Sequence, residues 1–138
     1  GLRTRALAAT RSNTHFFVNL DAVTYWSLLG QVDAVIGNSS SGIMEAASFA
    51  LPVVNVGMRQ QGRERARNIL DVPADSARIT HALNRALVPA FRKKLRGMAN
   101  PYGNGTAATT IANVLTTVPL ENLLIKQPAP LFKMKVSS

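Results

Sequence analysis

Short apolar runs alternate along the chain with stretches of helix-forming residues. The runs are rich in Val, Ile and Leu without polar alternation, which is typical of strands covered on both faces. The predicted strands are 16–20, 33–38, 52–57 and 70–72, and the predicted helices are about 21–31, 42–50, 63–69, 75–87, 89–97 and 106–117. Strands separated by helices predict βαβ units. We therefore expect an α/β fold, a Rossmann-like parallel sheet with helices on both faces.

Length and composition favour one globular domain followed by a tail. The chain has 138 residues, 46% of them apolar, which is enough to fill a sizeable core. We expect the domain to span residues 1–117 and a less regular, proline-containing tail to span 118–138. The absence of cysteine excludes disulfides, thiolate zinc sites and cysteine nucleophiles. No apolar run approaches the roughly 18 residues of a membrane span.

The chain is strongly basic, with 16 Lys and Arg against 7 Asp and Glu, a formal charge of +9. The densest cluster is 92–96, where only Phe91 supplies an adjacent aromatic ring. Single-stranded nucleic-acid sites interleave aromatic and basic side chains, so we expect no nucleic-acid partner and interpret the cluster as a solvated helix face. Because no apolar run is long enough for a membrane span, we expect no membrane partner either. A non-enzymatic polyanion-binding module is the competing hypothesis; it predicts binding that weakens steeply with salt.

The residues best suited to chemistry follow the second predicted strand. Ser39, Ser40 and Ser41 with Gly42 separate that strand from a helix start. Ligands of parallel sheets bind at the carboxyl ends of strands, where free backbone N–H groups and the helix dipole favour an anion. We expect a phosphate or pyrophosphate here, with Gly42 admitting the ligand close to the backbone. The alternative is an ordinary serine-capped helix.

Two charged residues extend this candidate site. If Glu45 closed a capping box, the N-cap would be Gly42, which has no hydroxyl, so the carboxylate is left to accept the hydroxyls of a ribose. Arg59 leaves the third strand beside the serine turn and can donate two hydrogen bonds to a phosphate. For the arginines that follow we expect a solvated helix face with Glu64 as partial counter-ion; they are Arg63, Arg65 and Arg67.

Other candidate residues carry less chemistry. His15 and His81 lack metal-ligand spacing, and we expect neither metal nor cofactor. Of the adjacent Tyr25 and Trp26, one is expected in the core and the other against a planar base.

The motif residues resemble those of a known family. Three segments are similar to the C-terminal half of UDP-N-acetylglucosamine 2-epimerases of the hydrolysing subgroup. They are Asn38-Ser39-Ser40-Ser41-Gly42 with Glu45-Ala46, then Arg59-Gln60-Gln61-Gly62-Arg63, and the late loop 100–105. The resemblance spans roughly residues 16–115. It implies the second half of a two-domain fold of the glycosyltransferase-B type.

The resemblance also implies roles for individual residues. Ser39 and Ser40 match positions that hold the diphosphate in the family. Glu45 matches the position that holds the ribose, and Arg59 matches a position that contacts UDP. Tyr25 matches a position near the uracil. The main acid/base residues of the family lie mostly in the first half, so no catalytic residue is assigned here.

The implied partners are UDP or UDP-N-acetylglucosamine and a missing N-terminal domain. An exposed cleft face would favour a homo-oligomer, and the implied location is cytoplasmic. The sequence leaves one further enzymatic hypothesis open, a nucleotide-sugar-binding half of a glycosyltransferase-B-type glycosyltransferase.

Overall fold

The structure, a computed structural model, describes residues 2–119. Its contacts divide the chain into two units, Gly1–Asn104 and Gly105–Ser138. In the first unit the helices are α1 Leu2–Thr10, α2 Ala22–Leu29, α3 Ser40–Met44, a 3-10 helix Ala46–Phe49, α4 Ser76–Ala86 and α5 Pro89–Leu95; the strands are β1 Val35–Gly37, β2 Val53–Val56 and β3 Ile69–Val72. The described part of the second unit holds α6, Ala107–Thr117. Apart from Val118 and Pro119, the predicted tail 118–138 lies outside the described residues.

The three strands form one parallel sheet in the order β1-β2-β3. Val35 pairs with Val53 across the first ladder, and Val53 pairs with Ile69 across the second. This confirms the predicted α/β class with a parallel sheet.

Helices cover both faces of this sheet, as predicted. On one face Leu29 of α2 and Ala46 of the 3-10 helix pack with Val53. On the other face Ala82 and Ala86 of α4 pack with Val54, the next residue of β2. Successive side chains of a strand point to opposite faces, so this central strand contributes to two cores. Because β2 is covered on both faces, both Val53 and Val54 are apolar.

Local capping signals fix the helix starts. The carboxylate of Asp21 accepts from the backbone N–H of Thr24, and that of Asp75 accepts from the N–H of Arg78. Each satisfies a donor that the first helical turn leaves without a partner. The sequence predicts Asp21 as an N-cap and leaves Asp75 and Ser76 as alternatives for the later helix; the structure has Asp75 as the N-cap of α4.

Three predicted elements differ from the structure. Residues 16–20 do not form a strand: Phe17 is 58% exposed, Val18 is 79% exposed, and none of these residues joins the sheet of the described chain. Residues 63–69 do not form a helix: 63–68 are an irregular turn after Gly62, whose φ of 82° is left-handed, and Ile69 begins β3. The segment predicted as one helix, 42–50, is instead the end of α3 and a separate 3-10 helix.

Candidate functional site

The serine turn joins the carboxyl end of β1 to α3. Ser39 is the N-cap of α3, and its Oγ accepts from the backbone N–H of Ser41 at 3.3 Å. Ser39 is exposed and Ser40 is half-buried. The capping alternative is therefore present in the structure. Because Ser39 uses only an acceptor position in the cap, its hydroxyl hydrogen can still donate to a ligand.

Gly42 serves helix packing and does not admit a ligand. It is buried, and a Cβ placed on it would lie 3.0 Å from Cγ1 of Val53 in the sheet. A side chain at this position would push α3 away from β2. The expectation that Gly42 opens the backbone to a ligand is wrong, because its free side faces the core.

Glu45 ends α3 and takes no part in a capping box, since the N-cap is Ser39. Its Oε2 accepts two hydrogen bonds, from Ser41 Oγ and from Trp26 Nε1, each at 3.1 Å. Ser41 Oγ also lies 2.7 Å from the hydroxyl of Tyr25. Because Ser41 donates to Glu45, Tyr25 is the donor to Ser41. These four side chains form one relay that ends on a single carboxylate oxygen.

The two aromatic residues of α2 divide their roles. Tyr25 is half-buried and packs against the core cluster of Leu29 and Val53, so mainly its hydroxyl faces the serine turn. Trp26 is 47% exposed and bonds Glu45. The sequence predicted one core and one exposed ring, but the resemblance pointed only to Tyr25. The sequence signal that could have identified Trp26 is the adjacent pair of aromatic residues. Neighbouring residues of a helix point to different faces, so when Tyr25 packs on the core, Trp26 faces outward.

The loop after β2 lies directly against the serine turn. Arg59 Nη1 and Gln60 Nε2 each donate to the carbonyl of Asn38 at 2.8 Å. Arg59 is exposed, whereas Gln60 is only 3% exposed. The structure thus brings the guanidinium to the residue preceding Ser39. Gln60 was quoted in the motif but given no role; its amide fixes the loop on the turn.

The next arginines do not form the predicted solvated helix face. Arg63 Nη1 lies 3.2 Å from the sulfur of Met44, and Arg65 Nε lies 3.0 Å from Oδ2 of Asp71. The counter-ion is therefore Asp71 of β3, not Glu64. Asn55 also donates to Asp71, at 2.6 Å. Burial raises the pKa of Asp71, but the hydrogen bonds from Arg65 and Asn55 and the charge of Arg65 outweigh it and hold that pKa below its ordinary value.

The late loop ties these segments together. Asn100 Nδ2 donates to the carbonyl of Met44 and to Ser48 Oγ, both at 2.8 Å. The hydroxyl of Tyr102 donates to the carbonyl of Glu64 at 3.1 Å. The loop therefore spans from α3 to the turn after β2, the two segments that carry the candidate site residues.

Residues 2–119 hold no cluster of three or more His, Asp or Glu side chains able to bind a metal ion. His15 and His81 are both exposed. Within the same residues, no helix has both the length and the apolar character needed to cross a bilayer.

The fold and the polar cluster define a Rossmann-like α/β domain with its candidate site at the carboxyl edge of the sheet. The chain belongs to the UDP-N-acetylglucosamine 2-epimerase family, whose sequence profile matches residues 2–116. This confirms the resemblance drawn from the serine turn and the arginine motif, and extends it to the N-terminal helix α1.

Named relatives sharpen this similarity. The chain is 41% identical over 99 residues to a UDP-N,N'-diacetylbacillosamine 2-epimerase (hydrolyzing) of Legionella pneumophila, covering 72% of this chain and 25% of that protein. It is 27% identical over 100 residues to polysialic acid biosynthesis protein P7 of Escherichia coli, covering 72% and 26%. It is 47% identical over 64 residues to a GDP/UDP-N,N'-diacetylbacillosamine 2-epimerase (hydrolyzing) of Campylobacter jejuni, covering 44% and 17%. The chain therefore spans at most about a quarter of the length of these curated relatives.

Proposed function

We propose that this chain belongs to the UDP-binding half of a hydrolysing UDP-N-acetylglucosamine 2-epimerase and is inactive by itself. The observation that carries the proposal is the meeting of the serine turn, Glu45 and Arg59 at the carboxyl ends of β1 and β2. Membership of the epimerase family and the names of the hydrolysing relatives support it.

The diphosphate would be held by Ser39, Ser40 and Arg59. Hydroxyls and backbone N–H groups at the start of α3 donate to phosphate oxygens, and the guanidinium adds a charged donor. Each hydrogen bond to a charged group contributes about 1.5–3 kcal/mol. The helix dipole adds less, about 0.3–1 kcal/mol, and α3 is short, so the side chains and N–H groups dominate.

Glu45 would accept the ribose hydroxyls. Trp26 and Ser41 already donate to Oε2, which directs the ribose to Oε1. The uracil, attached to the same ribose, would then lie close to the exposed ring of Trp26. Tyr25, which the resemblance places near the uracil, would act through its hydroxyl on Ser41.

In the proposed reaction, UDP leaves after removal of the proton at C2 of the sugar. Water then adds to the glycal-like intermediate and gives the free epimerised sugar. Donors aimed at the diphosphate stabilise the negative charge that develops as the C1–O bond breaks, which is the part this half performs. The acid/base groups at C2 would come from the rest of the parent enzyme.

Calorimetric titration with UDP tests the nucleotide site. Glu45→Ala is expected to weaken UDP binding at least about tenfold, because the charged acceptor of the ribose is lost. The matched control is Glu64→Ala, which removes the same charge from an exposed position outside the cluster. Equal affinity in wild type and Glu45→Ala would remove Glu45 from the site, and no UDP binding by the wild-type chain would reject the proposal.

The parent enzyme tests the reaction. Incubation of the full-length protein with UDP-N-acetylglucosamine is expected to release UDP and free N-acetylmannosamine. Transfer of the sugar to an added acceptor, without release of free sugar, would support the glycosyltransferase hypothesis instead.

A further inference from the structure

A cavity lies near the end of the sheet where the strands begin. Its volume is about 790 Å³, within the range of small-molecule sites. Asp33, which precedes β1, and Phe49, which precedes β2, line it together with residues of α5. No residue of the candidate UDP site lines this cavity. The two sites therefore belong to opposite edges of one sheet.

The polar wall of the cavity is cationic. Arg92, Lys93 and Arg96 of the basic cluster line it, against a single carboxylate, Asp33. Arg92 donates to Asp33, which fixes its guanidinium and neutralises its charge. Among residues 2–119, neither Lys93 nor Arg96 is paired with a carboxylate. The wall therefore presents two uncompensated positive charges.

The remaining wall is apolar. Phe49, 39% exposed, and Leu87, 46% exposed, face the cavity beside Pro89. An exposed ring and an aliphatic side chain next to two free cations match a ligand that is charged at one end and apolar at the other. The concave shape and the single aromatic side chain do not match the series of stacking platforms that single-stranded nucleic acid requires.

We propose that this cavity binds a small organic phosphate that carries an aromatic or aliphatic group. A phosphate monoester is close to a dianion at pH 7 and matches the two free cations. Lys93 and Arg96 donate to the phosphate oxygens, and the apolar group lies on Phe49 and Leu87. The basic cluster at 92–96 thus becomes the wall of a specific anion site. The proposal does not depend on UDP binding.

Phenyl phosphate serves as the probe, titrated by calorimetry into the full chain. The matched pair of variants is Lys93→Ala and Lys94→Ala, which remove one positive charge from adjacent positions of α5, of which only Lys93 lines the cavity. We expect about tenfold weaker binding in Lys93→Ala and Arg96→Ala, through loss of a charge-assisted hydrogen bond, and less than about twofold change in Lys94→Ala. Inorganic phosphate, which cannot use the apolar wall, is expected to bind about tenfold more weakly than phenyl phosphate.

Several outcomes would overturn the proposal. Equal losses of phenyl phosphate affinity in Lys93→Ala and Lys94→Ala would indicate non-specific attraction to the positive charge of α5. A loss of phenyl phosphate affinity in Arg59→Ala, with unchanged affinity in Lys93→Ala, would assign the phosphate to the candidate UDP site. Equal binding of inorganic and phenyl phosphate would remove the role of Phe49 and Leu87. Tighter binding of a thymidine oligonucleotide or of anionic vesicles, equally reduced in both lysine variants, would assign the basic face to a macromolecule.

Discussion

At the scale of single residues, the candidate site depends on the orientation of one carboxylate. Glu45 receives hydrogen bonds from Trp26 and Ser41 on the same oxygen, and Ser41 is itself oriented by Tyr25. Such an arrangement restricts the rotamers of Glu45 before any ligand arrives, which lowers the entropic cost of binding. The donors of the relay act through Glu45 and are positioning residues.

Removing either donor is expected to reduce discrimination for the ribose hydroxyls. In wild type, UDP should bind more tightly than 2'-deoxy-UDP; in Trp26→Phe and Ser41→Ala the ratio of the two affinities should fall about fivefold, the equivalent of one hydrogen bond of about 1 kcal/mol. Calorimetric titration with each nucleotide measures the ratio.

Ser27→Ala is the control for these variants. Its hydroxyl bonds the carbonyl of Val23 within α2 and does not reach Glu45, so the ratio should stay at the wild-type value. An unchanged ratio in Trp26→Phe and Ser41→Ala, with UDP still bound, would show that the relay has no part in ribose recognition.

At the scale of elements, the site depends on how closely α3 approaches the sheet. α3 has only five residues, so its position is set by packing rather than by helix propensity. Gly42 permits the approach to Val53, and Asn100 of the late loop holds the end of α3 at Met44. These contacts place the serine turn beside the loop that carries Arg59.

Gly42→Ala is expected to destabilise the domain. Alanine gains about 0.5–1 kcal/mol of helix preference over glycine, but overpacking against buried Val53 costs about 1–3 kcal/mol, so the net loss should be about 1 kcal/mol. Urea unfolding measures the change. Gly30→Ala is the matched control: Gly30 has a right-handed φ of −70°, and its added Cβ would lie 3.4 Å from the nearest atom. Stability of Gly42→Ala at or above that of Gly30→Ala would contradict the packing role.

At the scale of the whole molecule, the charge balance links stability to pH. The chain has a formal charge of +9, and protonating its carboxylates on acidification increases the repulsion among its cations. Among the carboxylates of the described residues, Asp71 accepts hydrogen bonds from both Arg65 and Asn55 and forms an ion pair with Arg65. It joins β3 to the turn after Gly62 and to β2.

The pKa of Asp71 predicts the direction of its effect. That pKa is lowered in the folded chain, so the ionised side chain stabilises the fold above its unfolded pKa of about 3.9, and this stabilisation is lost as pH falls through the lower folded value. Between pH 7 and pH 3, wild type should lose more unfolding free energy than Asp71→Asn, whose side chain does not titrate. Urea unfolding at both pH values measures the two free energies. Equal losses of unfolding free energy in wild type and Asp71→Asn would show that the ion pair of Asp71 with Arg65 does not contribute to the pH dependence of stability.

The cationic groups of the two proposed sites lie at opposite ends of the strands. The candidate UDP site lies where β1 and β2 end, and the cationic cavity lies near where they begin. Parallel strands give a sheet two chemically different edges, so one basic chain can present two anion sites that share no residues.

The sequence by itself determined the features that depend on neighbouring residues. Asp21 and Asp75 cap their helices through residues three positions away, and the apolar residues at 53 and 54 identify a strand buried on both faces. The serine turn lies between a strand and a helix for the same local reasons. The family was also recognisable, because its motifs are short and contiguous.

Only the tertiary structure decided the features that join distant parts of the chain. Trp26 meets Glu45 across 19 positions and Arg59 meets the carbonyl of Asn38 across 21. Residues 16–20 have the composition of a strand but pair with no strand of the described sheet, and Gly42 is needed for close packing on Val53 rather than for a ligand. Sequence periodicity reports which face of an element is apolar; it does not report which partner that face will meet, because the partner is selected by the packing of the whole chain.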